Sequence, residues 1–569
     1  MNIKWEYKKN KKVDFLPEDL EISSILFNLL IRKKLYTKEE IKSFLNPSYE
    51  KDIIDPYKFY SIKIAVSRIK KAVLNKEKIC IYGDYDADGV TSCFLLYSFI
   101  RKIGGNVIHY IPNRETEGYG LNNDAIDNYI KNNNVSLIIT VDTGIVNCDC
   151  ISHSKDLGID VIVTDHHEED LKRIPKCAIA IIDPKMKKSN YPFTELSGCG
   201  VAFKLCQAIA LSYKDKEKKE DLSAWLKWNL DLVAISIVTD IMPAVSENRV
   251  FLKYGLIVLN KTRNLGLKEL IKTSLKKNNI TSSDIGFVIG PRLNAAGRMD
   301  HANTAFYLLK EKDKESIASY IRSLSRLNTN RQKIVSLFIS EFISKNNKID
   351  SIIIIRDDNL PVGIIGLVAS KLKEHYNLPC FVFSLSDGLL VGSGRSLDGY
   401  DITKVLKDNE KYLVKFGGHK MACGCSLEEK NYNDFKKSVV SDFNKFNTSN
   451  FIFKKIIIDL NIKLSDINRN LLEDISKLEP FGKDNEIPIF SSKKLKVTDT
   501  KIFGKTFDHF RFTVSQNNIY FNVIAFSNAK LSADIFIGDE IDLVYELEEN
   551  IWNGTSEIRL KFIDYKKLN

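Results

Sequence analysis

Residues 78–103 read KICIYGDYDADGVTSCFLLYSFIRKI. A short β-branched run, Lys78–Tyr82, breaks into a Gly/Asp turn, and apolar residues return from Thr91 to Ile103 at helical spacing. Strand, turn and helix in that order make the unit of an α/β fold. The unit recurs downstream. Leu137–Val141, Val161–Val163 and Ala178–Ile182 are further apolar runs that end in polar turns, and Leu121–Asn132 carries a helical pattern. Continuous apolar strands suit a parallel sheet covered on both faces. Residues from about 60 to 245 are therefore expected to form a doubly wound α/β domain, which binds ligands beyond the carboxyl ends of its strands.

Outward from this domain the pattern changes. Residues 1–55 are polar and short-patterned, an N-terminal extension with small helices. The charged run Tyr213–Asp221 reads as an exposed loop. Asn303–Ser344 has neither Pro nor Gly and places Ile317, Tyr320, Ile321, Leu324 and Leu327 at helical spacing, so a long helical connection between two lobes is expected. A second α/β unit follows, with strands near Ser351–Ile355 and Cys380–Phe383 and a helix at Ile365–Glu374. After about Asn450, segments such as His509–Ser515, Ile519–Phe526 and Glu540–Glu546 read as successive strands of a small all-β barrel.

Composition sets the outer limits. The 569 residues are 44% hydrophobic and 28% charged, which excludes a wholly disordered, collagenous or coiled-coil chain and allows three or four domains. The net charge of +11 is consistent with a polyanionic partner. The excess lies outside the barrel, since the segment Phe451–Asn569 carries 17 Lys+Arg against 18 Asp+Glu. The ten cysteines lie between Cys80 and Cys425 without C-x-x-C spacing, and read as small buried hydrophobes of a reducing compartment. The charged start is not a secretory signal and no apolar window is long enough to span a membrane, so a cytoplasmic protein is expected.

The chemistry gathers at the strand ends. Asp84, Asp86 and Asp88 alternate through the first turn. VDTGI (141–145) ends a strand on Asp142, and VTDHHE (163–168) ends another on Asp165, His166 and His167. Asp240 lies within an apolar segment, where a bare carboxylate is costly. Taken singly, the first segment also reads as a capped Asp/Gly turn, and Asp142 and Asp183 as turn formers. Taken together, they would meet at one edge of one sheet. Mixed Asp and His donors without Cys suit Mn²⁺ or Mg²⁺. Two such ions about 3.5–4 Å apart can hold a phosphodiester and activate water, so the pattern points to a metal-dependent phosphoryl hydrolase.

The Asp-His-His element, with DYDADG and VDTGI ahead of it, resembles the DHH phosphoesterase superfamily. The order of later motifs resembles its bacterial RecJ branch of single-strand-specific exonucleases: NRETEGYG (113–120), SGCG (197–200), GPRLNAAGR (290–298), GIIG (363–366), GSGRS (392–396), FGGH (416–419) and LEPFG (478–482). The match runs from about residue 60 to 490. The resemblance implies a DHH domain at 56–300, a long connecting helix at 301–346, a DHHA1-type substrate-binding domain at 347–450 and an OB-like barrel at 451–569. It implies Asp86, Asp88, Asp142, His166 and Asp240 as metal ligands, His167 as a ligand or phosphate contact, and Asp84 as a ligand or its support. Arg114, Ser393 and Arg395 would form a 5′-phosphate pocket, Arg292 and Arg298 would line the same cleft, and His419 would touch substrate. The implied activity is processive 5′→3′ cleavage of single-stranded DNA to 5′-mononucleotides in repair and recombination, with two Mn²⁺ or Mg²⁺ ions. The implied setting is a monomer, away from membranes, working with a single-strand-binding protein and a helicase. Two other readings stay open: a phosphodiesterase for short oligoribonucleotides or cyclic dinucleotides, and a non-catalytic DNA-holding subunit. The sequence departs from the family at NLPV (359–362), where a Trp-His pair is usual, and at KDNEIP (483–488), where Gly-Asn-Pro-Glu-Pro is usual.

Overall fold

In the computed structural model the expected parallel sheet has five strands, in the spatial order Asn106–Tyr110, Lys78–Tyr82, Val135–Val141, Asp160–Thr164, Ala180–Ile182. Described residues are 2–9, 11–346, 348–349, 351–445, 453–552 and 555–568. The chain forms two compact units. One comprises residues 53–243 and 250–452, the other residues 1–52, 244–249 and 453–569.

In the first unit the strand order reverses beside Lys78–Tyr82, because the next strand in sequence lies on one side of it and the third on the other. Such a switch point opens a crevice beyond the strands' carboxyl ends. Register makes those ends level. Tyr82 pairs with Thr140, Val141 with Thr164, and Thr164 with Ile182. Continuing the register places Asp84, Asp142, Asp165 and Asp183 in one row across four strands. Four of the strands are almost wholly buried, and the edge strand Asn106–Tyr110 is half-buried. Helix Ala87–Lys102 packs against Gly198–Leu211 and Leu230–Thr239 over one face.

The run Tyr213–Asp221 is not the loop its charges suggest. Asp215 accepts the Lys218 amide and caps a helix, Lys216–Lys227, whose apolar anchors Leu222 and Leu226 come late. The capping signal outweighs the lack of apolar residues in its first turns. The connection to the second lobe is two helices, Asn303–Lys310 and the 32-residue Lys314–Lys345, separated where Asp313 caps the latter. The second lobe holds a five-stranded sheet ordered Lys415–His419, Ala422–Leu427, Leu389–Arg395, Cys380–Ser386, Ile353–Arg356, in which only the last pair is parallel. Its helix is Val362–Tyr376.

In the second unit, strands Phe490–Phe503, His509–Gln516, Ile519–Ala525, Thr555–Lys567 and Glu540–Trp552 close into a barrel when the last pairs with the first. Phe510 and Phe512 lie in its core, whereas Tyr520 is exposed. The N-terminal residues join this unit. Asn2–Tyr7 pairs in parallel with Phe453–Ile458, and Leu26, Leu29 and Leu30 share the barrel's hydrophobic cluster. Among the described residues no helix is long and apolar enough to cross a membrane.

Arg249 is buried in this unit and donates to the carbonyl oxygens of Phe44, Leu478 and Glu479 at 2.8, 3.0 and 2.8 Å. Replacing it by Met strands several buried acceptors, each costing about 1–3 kcal/mol. Arg249→Met should therefore lower the urea midpoint of the barrel unit by an amount equivalent to at least about 2 kcal/mol. An unchanged midpoint would show the carbonyls to be satisfied otherwise.

Candidate active site

The row of aspartates is buried, and each member is handled differently. Asp84 and Asp142 are 5% and 2% exposed, and burial followed by neighbouring carboxylates pushes both well above the usual carboxylate range. Asp86 caps helix Ala87–Lys102 by accepting the Gly89 amide at 3.0 Å. Asp240, at the C-terminal end of helix Leu230–Thr239, is also raised by burial and by Asp88 and Asp86. Like charges this close cannot all ionise without a cation or donors between them.

Asp88 has donors. It accepts the Gly198 and Cys199 amides, both at 2.8 Å, from the first turn of helix Gly198–Leu211, and the Ser236 hydroxyl at 2.7 Å. The first turn of a helix thus turns its amides onto this carboxylate. The approach requires Gly198, because a Cβ there would lie 2.7 Å from the Asp142 Cβ.

His166 stands at the centre. Its Nε2 is 3.0 Å from Asp142 Oδ1, 3.6 Å from Asp240 Oδ2 and 3.8 Å from Asp88 Oδ2. Neither ring nitrogen is aligned for a hydrogen bond, although both are buried. Burial, then the charge of His167, lowers its pKa to about 4, so the imidazole is neutral with a lone pair to give. Three sets of donor atoms each fall within 4.8 Å of one another: Asp142, His166 and His167; Asp88, His166 and Asp240; Asp84, Asp86 and Asp142. Buried oxygen and imidazole donors with unmet bonding capacity fit Mn²⁺ or Mg²⁺.

Asp165 supports the site from behind. One oxygen accepts the Ile145 amide at 2.9 Å, and the other accepts the His166 amide at 2.8 Å and lies 2.7 Å from His167 Nδ1. The sequence shows Asp165 in the motif but gives no sign of this scaffolding task, which depends on an amide 20 residues upstream. Burial opposes a charge on His167, but the Asp165 carboxylate outweighs it and lifts the pKa to about 9. The Tyr119 hydroxyl lies 3.2 Å from the same ring.

The predicted arginines divide. Arg114 lies over the Tyr85 ring at 5.0 Å, and Arg298 donates to the Gly363 carbonyl at 3.1 Å. Arg395 bonds Ser393 Oγ at 3.0 Å and passes beside the Val362–Tyr376 helix where Gly366 has no side chain. Burial first, then the charges of Arg114, Arg331 and Arg395, lower Arg298 to about 10 against the opposing pull of Asp86. These four cations share one region. Arg331, on the long helix, was not singled out from the sequence because nothing in its surroundings there distinguishes it. Arg292 instead turns onto its own helix and donates to the Val288 carbonyl at 2.8 Å. His419 is exposed, with Lys185, His167 and Glu168 as its charged neighbours. In the NLPV departure, Leu360 is buried and Pro361 precedes the helix.

The GPRLNAAGR segment fastens the first turn. Asn294 Oδ1 accepts the Ala87 amide at 2.7 Å, and a Cβ on Gly297 would collide with the Tyr85 carbonyl.

A level row of strand-end aspartates joined to an Asp-His-His loop defines a DHH-type domain. Family models match as the DHH family N-terminal domain at residues 78–237, the DHHA1 domain at 349–445 and the RecJ OB domain at 458–564. The single-stranded-DNA-specific exonuclease RecJ of Bacillus subtilis is 34% identical over 99% of this chain and 70% of its own length. That of Haemophilus influenzae is 30% identical over 90% and 92%. The crystal structure of RecJ from Thermus thermophilus with Mn²⁺ superposes with a TM-score of 0.84 at 23% identity, covering 100% of this chain and 80% of that one. A second exonuclease RecJ structure, bound to manganese, gives 0.59 at 28% identity over 68% and 96%. The chain belongs to the RecJ family of single-stranded-DNA-specific exonucleases.

The raised pKa of His167 has a measurable consequence. Because the folded value of about 9 lies above the ordinary value of about 6.5, the ion pair stabilises the metal-free protein fully below 6.5 and is lost as pH rises through 9. In Asp165→Asn the His167 ring should titrate at least one unit lower by NMR. A titration unmoved by the substitution would remove Asp165 as the cause.

Proposed function

We propose that this chain is a metal-dependent 5′→3′ exonuclease that degrades single-stranded DNA to 5′-mononucleotides in repair and recombination. The observation that carries the reading is the meeting, in one unit, of a buried carboxylate–imidazole cluster and a group of guanidinium ions. The first suits metal ions, and the second suits a terminal phosphate. Asp84, Asp86, Asp88, Asp142, His166 and Asp240 would hold two Mn²⁺ or Mg²⁺ ions, which would supply an activated water and offset the charge that develops on the phosphate oxygens.

The remaining work falls to the chain. The charged His167 stands beside the cluster and donates to a phosphate oxygen or, on losing its proton, joins the ligands. Asp165 fixes the orientation of that ring. Arg114, Arg298, Arg395 and Ser393 take the 5′-phosphate dianion, for which forked guanidinium donors give bidentate bonds. Held by its end, the strand presents its first internal phosphodiester to the carboxylates, which gives both the polarity and the mononucleotide product. His419 contacts the strand from the second lobe, and Arg292, turned onto the Val288 carbonyl, stands outside the phosphate-binding group. Residues 56–300 carry catalysis, 301–346 the connection, 347–450 substrate binding and 451–569 an OB-like barrel, with residues 1–55 as an N-terminal extension. The protein works in the cytoplasm as a monomer alongside a helicase and a single-strand-binding protein.

With Mn²⁺ and a 5′-phosphorylated, 3′-labelled strand, the protein should shorten single-stranded DNA from the 5′ end and spare its duplex. Turnover of cyclic dinucleotides or short RNA alone would overturn the reading. Asp142→Ala should abolish cleavage while strand binding remains measurable, and full activity would refute the ligand assignment. Arg395→Ala should reduce the preference for a 5′ phosphate about tenfold or more. An unchanged preference would take Arg395 out of the pocket.

A further inference from the structure

Helix Ala87–Lys102 begins at the catalytic carboxylates and ends at a different feature. Beside its last turn lies a cleft of about 710 Å³, bounded also by the end of helix Lys216–Lys227 and by Arg263 and Lys310. At 1.5 Å per residue, Arg101 is about 22 Å along the helix from Asp86. The cleft is therefore separate from the site described above.

Its lining has an unusual division of charge. Arg263 lies over the Trp228 ring at 3.6 Å, Arg101 reaches the Tyr97 hydroxyl at 3.3 Å, and Lys310 lies 5.3 Å from the Tyr97 ring. Among the described residues none of these three cations has a carboxylate within ion-pair distance; they lie against aromatic rings instead. The carboxylates nearby are engaged elsewhere. Asp221 pairs with Lys102 at 2.8 Å, Asp231 accepts the Thr262 hydroxyl at 2.6 Å, and Glu311 accepts the Lys312 amide at 2.8 Å. Trp225 and Trp228 are half-buried at the cleft wall, where they offer indole faces.

We propose that this cleft binds a nucleoside 5′-monophosphate, its base against the indoles and its phosphate on Arg101, Arg263 and Lys310. Cations held over rings keep their N–H donors for an anion. Indole faces stack on any base, and the volume lies within the range of small-molecule sites. The Asp221, Asp231 and Glu311 carboxyls of the same lining disfavour a polyacidic peptide, which would bring further carboxylates against them. Binding here needs no catalytic ion.

Two of the chain's four tryptophans line the cleft, so their fluorescence reports on it. The full chain in EDTA should show saturable quenching on addition of dAMP. Arg101→Ala and Lys310→Ala should each raise the Kd about tenfold, with thermal melts showing that the variants remain folded. Trp228→Phe should remove most of the signal, and Arg395→Ala should leave the Kd unchanged. Absence of saturable quenching would overturn the proposal. So would loss of binding in Arg395→Ala alone, which would place the nucleotide in the 5′-phosphate pocket. Equal affinity for inorganic phosphate would show that the rings contribute nothing, and tighter binding of an acidic aromatic peptide would assign the cleft to a protein partner. Either result would also overturn it.

Discussion

Four parallel strands end at the same level, and each places a carboxylate there. The repulsion within that row, buried in the crevice of a switch point, is the constraint to which the surrounding structure responds. A group of ionised aspartates at this depth is unstable unless donors or cations stand among them. The chain supplies donors for some of the row and leaves the rest short. Asp165 receives three backbone amides and the His167 ring, and Asp88 receives the start of a helix and a serine hydroxyl. Asp84, Asp142 and Asp240 receive much less, and their raised pKa values record the deficit. The deficit is the capacity for divalent ions.

The supporting helices come as close as they do because side chains are absent at the contact points. Gly198 lets the anion-binding helix end reach Asp142, and Gly297 lets the GPRLNAAGR helix lie on the Tyr85 carbonyl. Gly363 does the same where the second lobe meets Arg298. The conformation of the site is also held against local preference. Asp142 sits at φ 60° and Ile241, next to Asp240, at φ 55°, a conformation unusual for a β-branched residue.

Much of this was legible in sequence. Alternating Asp residues after a β-branched run, a second Asp after a second run and paired histidines after a third marked the same sheet edge. Their chemistry depends on residue type and position along a strand, both of which are local properties. The misreadings were also local in origin. In Tyr213–Asp221 the density of charge masks the cap at Asp215, and the anchors Leu222 and Leu226 lie beyond the run. The hairpin strands of the second lobe are rich in Gly and Ser, and pairing with their neighbours sustains them where propensity would not.

The sequence by itself determined the α/β class, the donor types at the strand ends, the order of the domains and the family, because strand periodicity, turn chemistry and motif spacing are written along the chain. Only the tertiary structure decided which carboxylates are satisfied and which are left in deficit. It also decided that Arg331 joins Arg114, Arg298 and Arg395, that Arg292 turns away, and that Asn2–Tyr7 pairs with Phe453–Ile458. The physical reason is that hydrogen-bond supply and charge proximity depend on distances through space between residues as much as 559 positions apart, and no periodicity encodes those.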